Sequence, residues 1–150
     1  MMGELTSQEI EEVLHRATFG RLGCHADGRT YIVPVGYAYD GNRIVVQTVA
    51  GMKIDMMRAN PEVCFEVEEV QSLTNWRTVI AWGSFVELSG TEAAAAVGLL
   101  VDRLLPIVQE GPGARFGRAV TPTLREREHP PGVVFAIELR EKSGRFELEG

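Results

Sequence analysis

Cysteine is scarce: Cys24 and Cys64 are the only two in 150 residues, and no C-x-x-C spacing occurs. That scarcity excludes a disulfide-stapled scaffold and a zinc knuckle, and it fits a reducing compartment. The three histidines, His15, His25 and His129, show neither i, i+4 nor H-x-E spacing, so no metal site is expected. No apolar run approaches the roughly 20 residues that a membrane helix needs, and no membrane association is expected. Net charge is −6 with Lys and Arg dispersed among Asp and Glu. A surface that tracks nucleic-acid phosphates clusters its basic residues, so no nucleic-acid partner is expected either. The opening stretch Leu5-Thr6-Ser7-Gln8-Glu9 carries neither a basic leader nor an apolar signal core. A cytoplasmic location is therefore the expectation. No internal repeat or domain linker interrupts the chain, and residues 1–150 read as a single domain.

What is present is a change of period along the chain. Thr6-Ser7-Gln8-Glu9 has the form of a capping box, flanked by Leu5 and Ile10 as a hydrophobic staple. Ile10, Val13, Leu14 and Ala17 then recur at helical spacing to about Thr18. From Gly20 the period becomes two. Strands are predicted over 20–25, 30–39, 43–49, 63–70, 76–88 and 133–139, with turns at Asp27-Gly28 and Asp40-Gly41-Asn42. A helix is predicted over 52–59, stopped by Asn60-Pro61, and another from Ser89-Gly90-Thr91-Glu92 to about Leu105. Residues 71–75 read as a linker, 106–130 as a long proline-bearing loop, and Ser143-Gly144-Arg145 as a turn into a short tail. This order predicts a mainly β fold with peripheral helices, a six-stranded antiparallel, Greek-key-like barrel rather than a parallel sheet. Six strands leave little interior, so a ligand is expected in an outer groove or between subunits.

Three segments can carry chemistry. In Gln47-Thr48-Val49-Ala50-Gly51-Met52-Lys53 a strand ends in two polar side chains, turns through glycine and enters a helix with a lysine in its first turn. Free N–H groups, the positive dipole end and one full charge suit a terminal phosphate. The plainer alternative is a corner with a solvated lysine. In Tyr31-Ile32-Val33-Pro34-Val35-Gly36-Tyr37, Pro34 points to an edge or bulge, because it cannot donate to a ladder. Free main-chain groups there can hydrogen-bond a flat heteroaromatic ring. In the third segment, alternation sets Trp76, Thr78, Ile80 and Trp82 on one face, and Arg77, Val79 and Ala81 on the other. Gly83 marks a bend. Arg115, Arg118, Arg125 and Arg127 flank the long loop, as solvated charges or as contacts to an anionic substrate.

Taken in order, these segments resemble the pyridoxamine 5′-phosphate oxidase-like, FMN-binding split β-barrel family, in particular its short, nitroimidazole-resistance-like branch. Tyr31 to Gly36 occupies the R-x-V-L-L-K strand, Val46-Gln47 the Tyr-Thr pair, and Gly51-Met52-Lys53 the S-R-K turn. Asn60-Pro61 closes the following helix, Trp76-Arg77-Thr78-Val79 matches W-R-Q-V, and Gly144-Arg145 matches the terminal Gly-Arg. The resemblance implies an FMN-dependent oxidoreductase acting on a small organic substrate, as a homodimer with the flavin between subunits. It implies that Lys53 holds the flavin phosphate, with Gln47 and Thr48 beside it and Met52 in the place of the family's arginine. The backbone of Val33, Pro34, Val35 and Gly36 would edge the ring, and Thr78 stands where a glutamine contacts the cofactor. The family's strand lysine is Gly36 here, its carboxy-terminal Arg-x-His motif has no counterpart, and Gln47 stands where the short branch often has histidine. These departures point away from pyridoxamine 5′-phosphate as the substrate. A non-catalytic flavin- or haem-binding carrier or sensor on the same fold is the alternative.

Overall fold

The computed structural model describes residues 1–110 and 132–149. Its elements are β1 (Met2–Glu4), α1 (Ser7–Arg16), β2 (Phe19–Ala26), β3 (Arg29–Gly36), β4 (Ala38–Tyr39), β5 (Arg43–Thr48), α2 (Met52–Ala59), β6 (Glu62–Ser72), β7 (Asn75–Glu87), α3 (Gly90–Glu110) and β8 (Val133–Leu148). The strands form one antiparallel sheet in the order β3-β2-β6-β7-β8-β5-β4, with β1 added beside β8. The two edges, β3 and β4, are consecutive in the chain and separated only by Tyr37, so the sheet curls round to bring its edges together. β4 pairs with β5 through Ala38–Val45 and Tyr39–Ile44. Continuing that register would set Gln47 against Gly36 and Thr48 against Val35, yet no ladder forms there. This is where the barrel is split.

Inward side chains of the strands, among them Leu22, Val35, Val46, Phe65, Val79 and Phe135, make the core. Val13 and Leu14 of α1 join it from one side, and Ile54 and Met57 of α2 join it from another. On the opposite face of β4, β5 and β8, Ala38, Val45 and Ala136 pack against Ala96, Leu100 and Leu104 of α3. The capping box forms as the sequence predicts: the Glu9 N–H donates to Thr6 Oγ1 at 3.2 Å, and the Thr6 N–H donates to Glu9 Oε1 at 2.9 Å. The Asp27-Gly28 turn is also as predicted, with φ of 52° and 75° matching the twist of the hairpin it closes. No helix among the described residues is long and apolar enough to cross a membrane.

The split-barrel architecture is the expected one, with eight strands in place of six. The predicted strand 30–39 breaks at Tyr37, whose N–H leaves the ladder and donates to the Thr18 carbonyl at 3.0 Å. The expected linker 71–75 is a tight hairpin, since β6 extends to Ser72 and β7 starts at Asn75. α3 runs past Leu105 to Glu110, because Pro106 removes one intrahelical donor without ending the helix. The expected 106–130 loop, including its four arginines, otherwise lies outside the described residues. Nor does the chain turn at Ser143-Gly144-Arg145: β8 continues through it. Gly144 is there for packing, since a β-carbon would stand 2.8 Å from Leu5 Cδ1 and 2.9 Å from Ile10 Cγ1. β1 has only three residues, too short to show a period.

Candidate functional site

The residues picked out by sequence gather at the split. β3 is a true sheet edge, as Pro34 implies, paired only with β2 and with Pro34 opposite Arg21. Alternation turns Val33 and Val35 toward the core and leaves Ile32 and Pro34 exposed on the outer face; Gly36 is buried at the strand's end. Across the split, Gln47 and Thr48 are each only 3% exposed at the end of β5. Their side chains part company. Thr48 shares the core face with Val46, whereas Gln47 shares with Val45 the face covered by α3. The side chains of that pair therefore do not converge on one point. Gly132 closes over this strand end, where a β-carbon would stand 2.5 Å from the Thr48 carbonyl oxygen.

α2 begins beside the split. Its N-cap is Gly51, which offers no side-chain hydrogen bond to the first turn. A β-carbon there would have nothing within 4 Å, so the space before the helix start is open. Lys53 is half-buried in that first turn. Among the described residues no carboxylate lies within ion-pair distance of it. Burial pulls its ammonium below the ordinary lysine range, opposed by the nearby Cys24. A half-buried cation lacking a counter-charge, beside uncapped N–H groups, fits an anionic group such as a flavin phosphate. Met52 is exposed, with Arg29 Nη1 of the β2–β3 hairpin 4.0 Å from its sulfur. The hairpin is tied to the far end of α2 as well, because Asn60 Nδ2 donates to the His25 carbonyl at 2.8 Å.

Thr78 lies away from this corner, on the outer face of β7. Its hydroxyl donates to Glu66 Oε2 at 3.0 Å. The predicted alternation of β7 holds: Val79 and Ala81 are buried, while Trp76, Thr78, Ile80 and Trp82 lie half-exposed on the outside. Trp82 is thus no core residue. It walls a hollow of about 530 Å³ on the outer face, together with Gly23, Ile32, Cys64, Glu66 and Arg140. Sequence reasoning missed this hollow. The signal available for it was large apolar residues at outward positions, Ile32 on β3 and Trp82 on β7. A second hollow, of about 810 Å³, lies between α1 and the β6–β7 hairpin. Both of its basic residues are paired, Arg16–Glu69 at 2.5 Å and Arg77–Glu9 at 3.5 Å, while Glu12 and Glu147 leave its lining acidic.

Known proteins agree with this architecture. A stretch 36% identical to the uncharacterized protein RA0666 of Rhizobium meliloti (strain 1021) runs over 88 residues, 59% of this chain and 58% of that protein's length. The structure is similar to an FAD-binding protein from Mesorhizobium loti, at TM-score 0.80 and 27% identity over 99% of this chain and 98% of that one. It shares its fold with a protein assigned to 5-nitroimidazole antibiotic resistance in Bacteroides thetaiotaomicron, at TM-score 0.68 and 16% identity over 97% and 89% of the two chains. The family model described as pyridoxamine 5′-phosphate oxidase matches residues 6–146, nearly the whole chain. The chain belongs to the pyridoxamine 5′-phosphate oxidase family.

Proposed function

We propose that this protein binds flavin mononucleotide with its phosphate at the start of α2, and serves as an oxidoreductase for a small organic substrate. The observation that carries the reading is Lys53: a half-buried ammonium in a helix's first turn, with no carboxylate at ion-pair distance among the described residues. A phosphate supplies the missing counter-charge, and the uncapped N–H groups after Gly51 supply hydrogen bonds. The free edge of β3 is available to the ring's polar atoms. The flavin supplies the redox chemistry; the chain's residues hold and orient it. A homodimer with the flavin between subunits is part of the proposal. Its support is the exposure of Ile32, Val49 and Met52, at 66%, 58% and 46%, around the split.

The test is titration with riboflavin, FMN and FAD, followed by flavin absorbance and fluorescence. FMN should bind more tightly than riboflavin, which lacks the phosphate. Lys53→Ala should weaken FMN about tenfold to a hundredfold, the range of about 1.5–3 kcal/mol for a charged group on a phosphate, and leave riboflavin unchanged. A protein that takes up no flavin refutes the reading. Turnover of a reduced nicotinamide by the loaded protein separates an enzyme from a carrier.

A further inference from the structure

Nearly all arginines and lysines among the described residues have a partner. Seven stand in ion pairs with carboxylates, and Arg103 donates to the His15 and Arg16 carbonyls at 2.8 and 3.2 Å. Arg145 is exposed on β8, across from Thr78. The remaining two, Lys53 and Arg29, come to one place. Arg29 opens β3 directly opposite the buried Ala26, so its side chain starts on the core face of the hairpin. Its guanidinium ends 4.0 Å from the sulfur of Met52, the first residue of α2, and Lys53 is the second. Among the described residues no carboxylate, not even Asp27 of the same hairpin or Asp55 of α2, lies within ion-pair distance of Arg29. Like charges brought to one helix start repel, and the positive end of the helix adds to the repulsion. The hairpin is nonetheless fixed there, because Asn60 at the end of α2 donates to the His25 carbonyl at 2.8 Å.

We propose that Arg29 is a second cation for the flavin phosphate, gripping it from the β2–β3 hairpin while Lys53 holds it from α2. The proposal rests on the flavin reading and adds to it a residue from another element. A terminal phosphate carries a charge of about −1.5 to −2 near neutral pH. One ammonium leaves part of that charge unanswered; two cations match it. The guanidinium fork also gives two parallel hydrogen bonds to phosphate oxygens, which an ammonium cannot do. Neither side chain is locked in its present place. Arg29 is exposed, and Met52 is an unbranched thioether that is 46% exposed, so both can turn toward an anion without unpacking the core. The ligand class that this pair of cations favours is a phosphate monoester, present in FMN and missing from riboflavin.

Dissociation constants for FMN and riboflavin, measured at one pH and ionic strength, test this. Arg29→Gln should weaken FMN about tenfold and leave riboflavin unchanged. Arg29→Glu, which reverses the charge, should weaken FMN further than Arg29→Gln does. Arg16→Gln is the control: it removes the same charge from α1, where Arg16 pairs with Glu69, and should leave both constants unchanged. Three results overturn the assignment while leaving flavin binding intact. They are an unchanged FMN constant in Arg29→Gln, an equal weakening of riboflavin, which would mark a structural role, and an equal weakening of FMN by Arg16→Gln, which would mark a general charge effect. Absence of FMN binding by the wild type overturns the flavin reading itself. Thermal melts without flavin guard against misfolding: Arg29→Gln should melt no lower than wild type, because it relieves repulsion with Lys53, and a lower melting point also refutes the assignment.

Discussion

Replacing Gly83 by alanine tests how tightly β7 is held against β8. A β-carbon at this position would stand 2.2 Å from the Glu138 carbonyl oxygen, 2.9 Å from the Glu138 carbonyl carbon and 3.0 Å from Ile137 Cγ2. Ordinary contact is about 3.5–4 Å, so the backbones must separate by more than about 1 Å. Two of the three opposing atoms are main chain of the neighbouring strand, which cannot swing aside as a side chain would. The site is the irregularity in the β7–β8 register, between Trp82 and Gly83, where relaxation would disturb the longest ladder in the sheet. Overpacking costs about 1–3 kcal/mol, and a backbone clash belongs at the upper end, about 3 kcal/mol. At about 2–4 °C per kcal/mol for a domain of this size, Tm should fall by about 6–12 °C. Gly98→Ala is the control. It lies within α3 with nothing within 4 Å of the added atom, and should gain about 0.5–1 kcal/mol. Thermal and urea unfolding of the two variants beside wild type give the comparison. If Gly83→Ala melts within 2 °C of wild type (roughly the shift expected for under 1 kcal/mol), the close approach of the strands is refuted.

Tyr37→Phe should cost about 1–2 kcal/mol, read from the urea midpoint. The fully buried phenol donates at 2.8 Å to the Leu14 carbonyl, one of the last-turn acceptors that α1 cannot satisfy itself. Lys53→Met should separate stability from binding. Burial lowers the lysine's folded pKa below its unfolded value of about 10.4, so between the two the unfolded chain holds a proton that the folded chain has lost. Flavin-free wild type should therefore gain stability as pH rises through that interval. The Lys53→Met protein should lack this rise and be at least as stable at pH 7, while losing FMN affinity. Urea unfolding at pH 7 and pH 10 checks it, and equal pH slopes in both proteins would contradict the buried ammonium.

Local features were legible because neighbours in sequence make them. The capping box at Thr6, the Asp27-Gly28 turn, the helix between Gly51 and Asn60, and the alternation along β7 each satisfy their hydrogen bonds or hide their apolar groups within a few residues. Lys53 and Gly51 were readable for the same reason, since the helix cap and its charge lie two residues apart. Gln47 and Thr48 look like a pair in sequence; only the strand's pleat, with α3 on one side and the core on the other, sends them apart.

The order of polar and apolar residues determined by itself that the chain curls into a mainly antiparallel β barrel, with a short cationic helix start after its third long strand. Tertiary structure alone decided where that barrel splits, that Gly144 is a packing glycine, and that Trp82 faces an outer hollow beside Glu66. These depend on which strands lie side by side, and such long-range pairing leaves no trace in the spacing of residues along one strand.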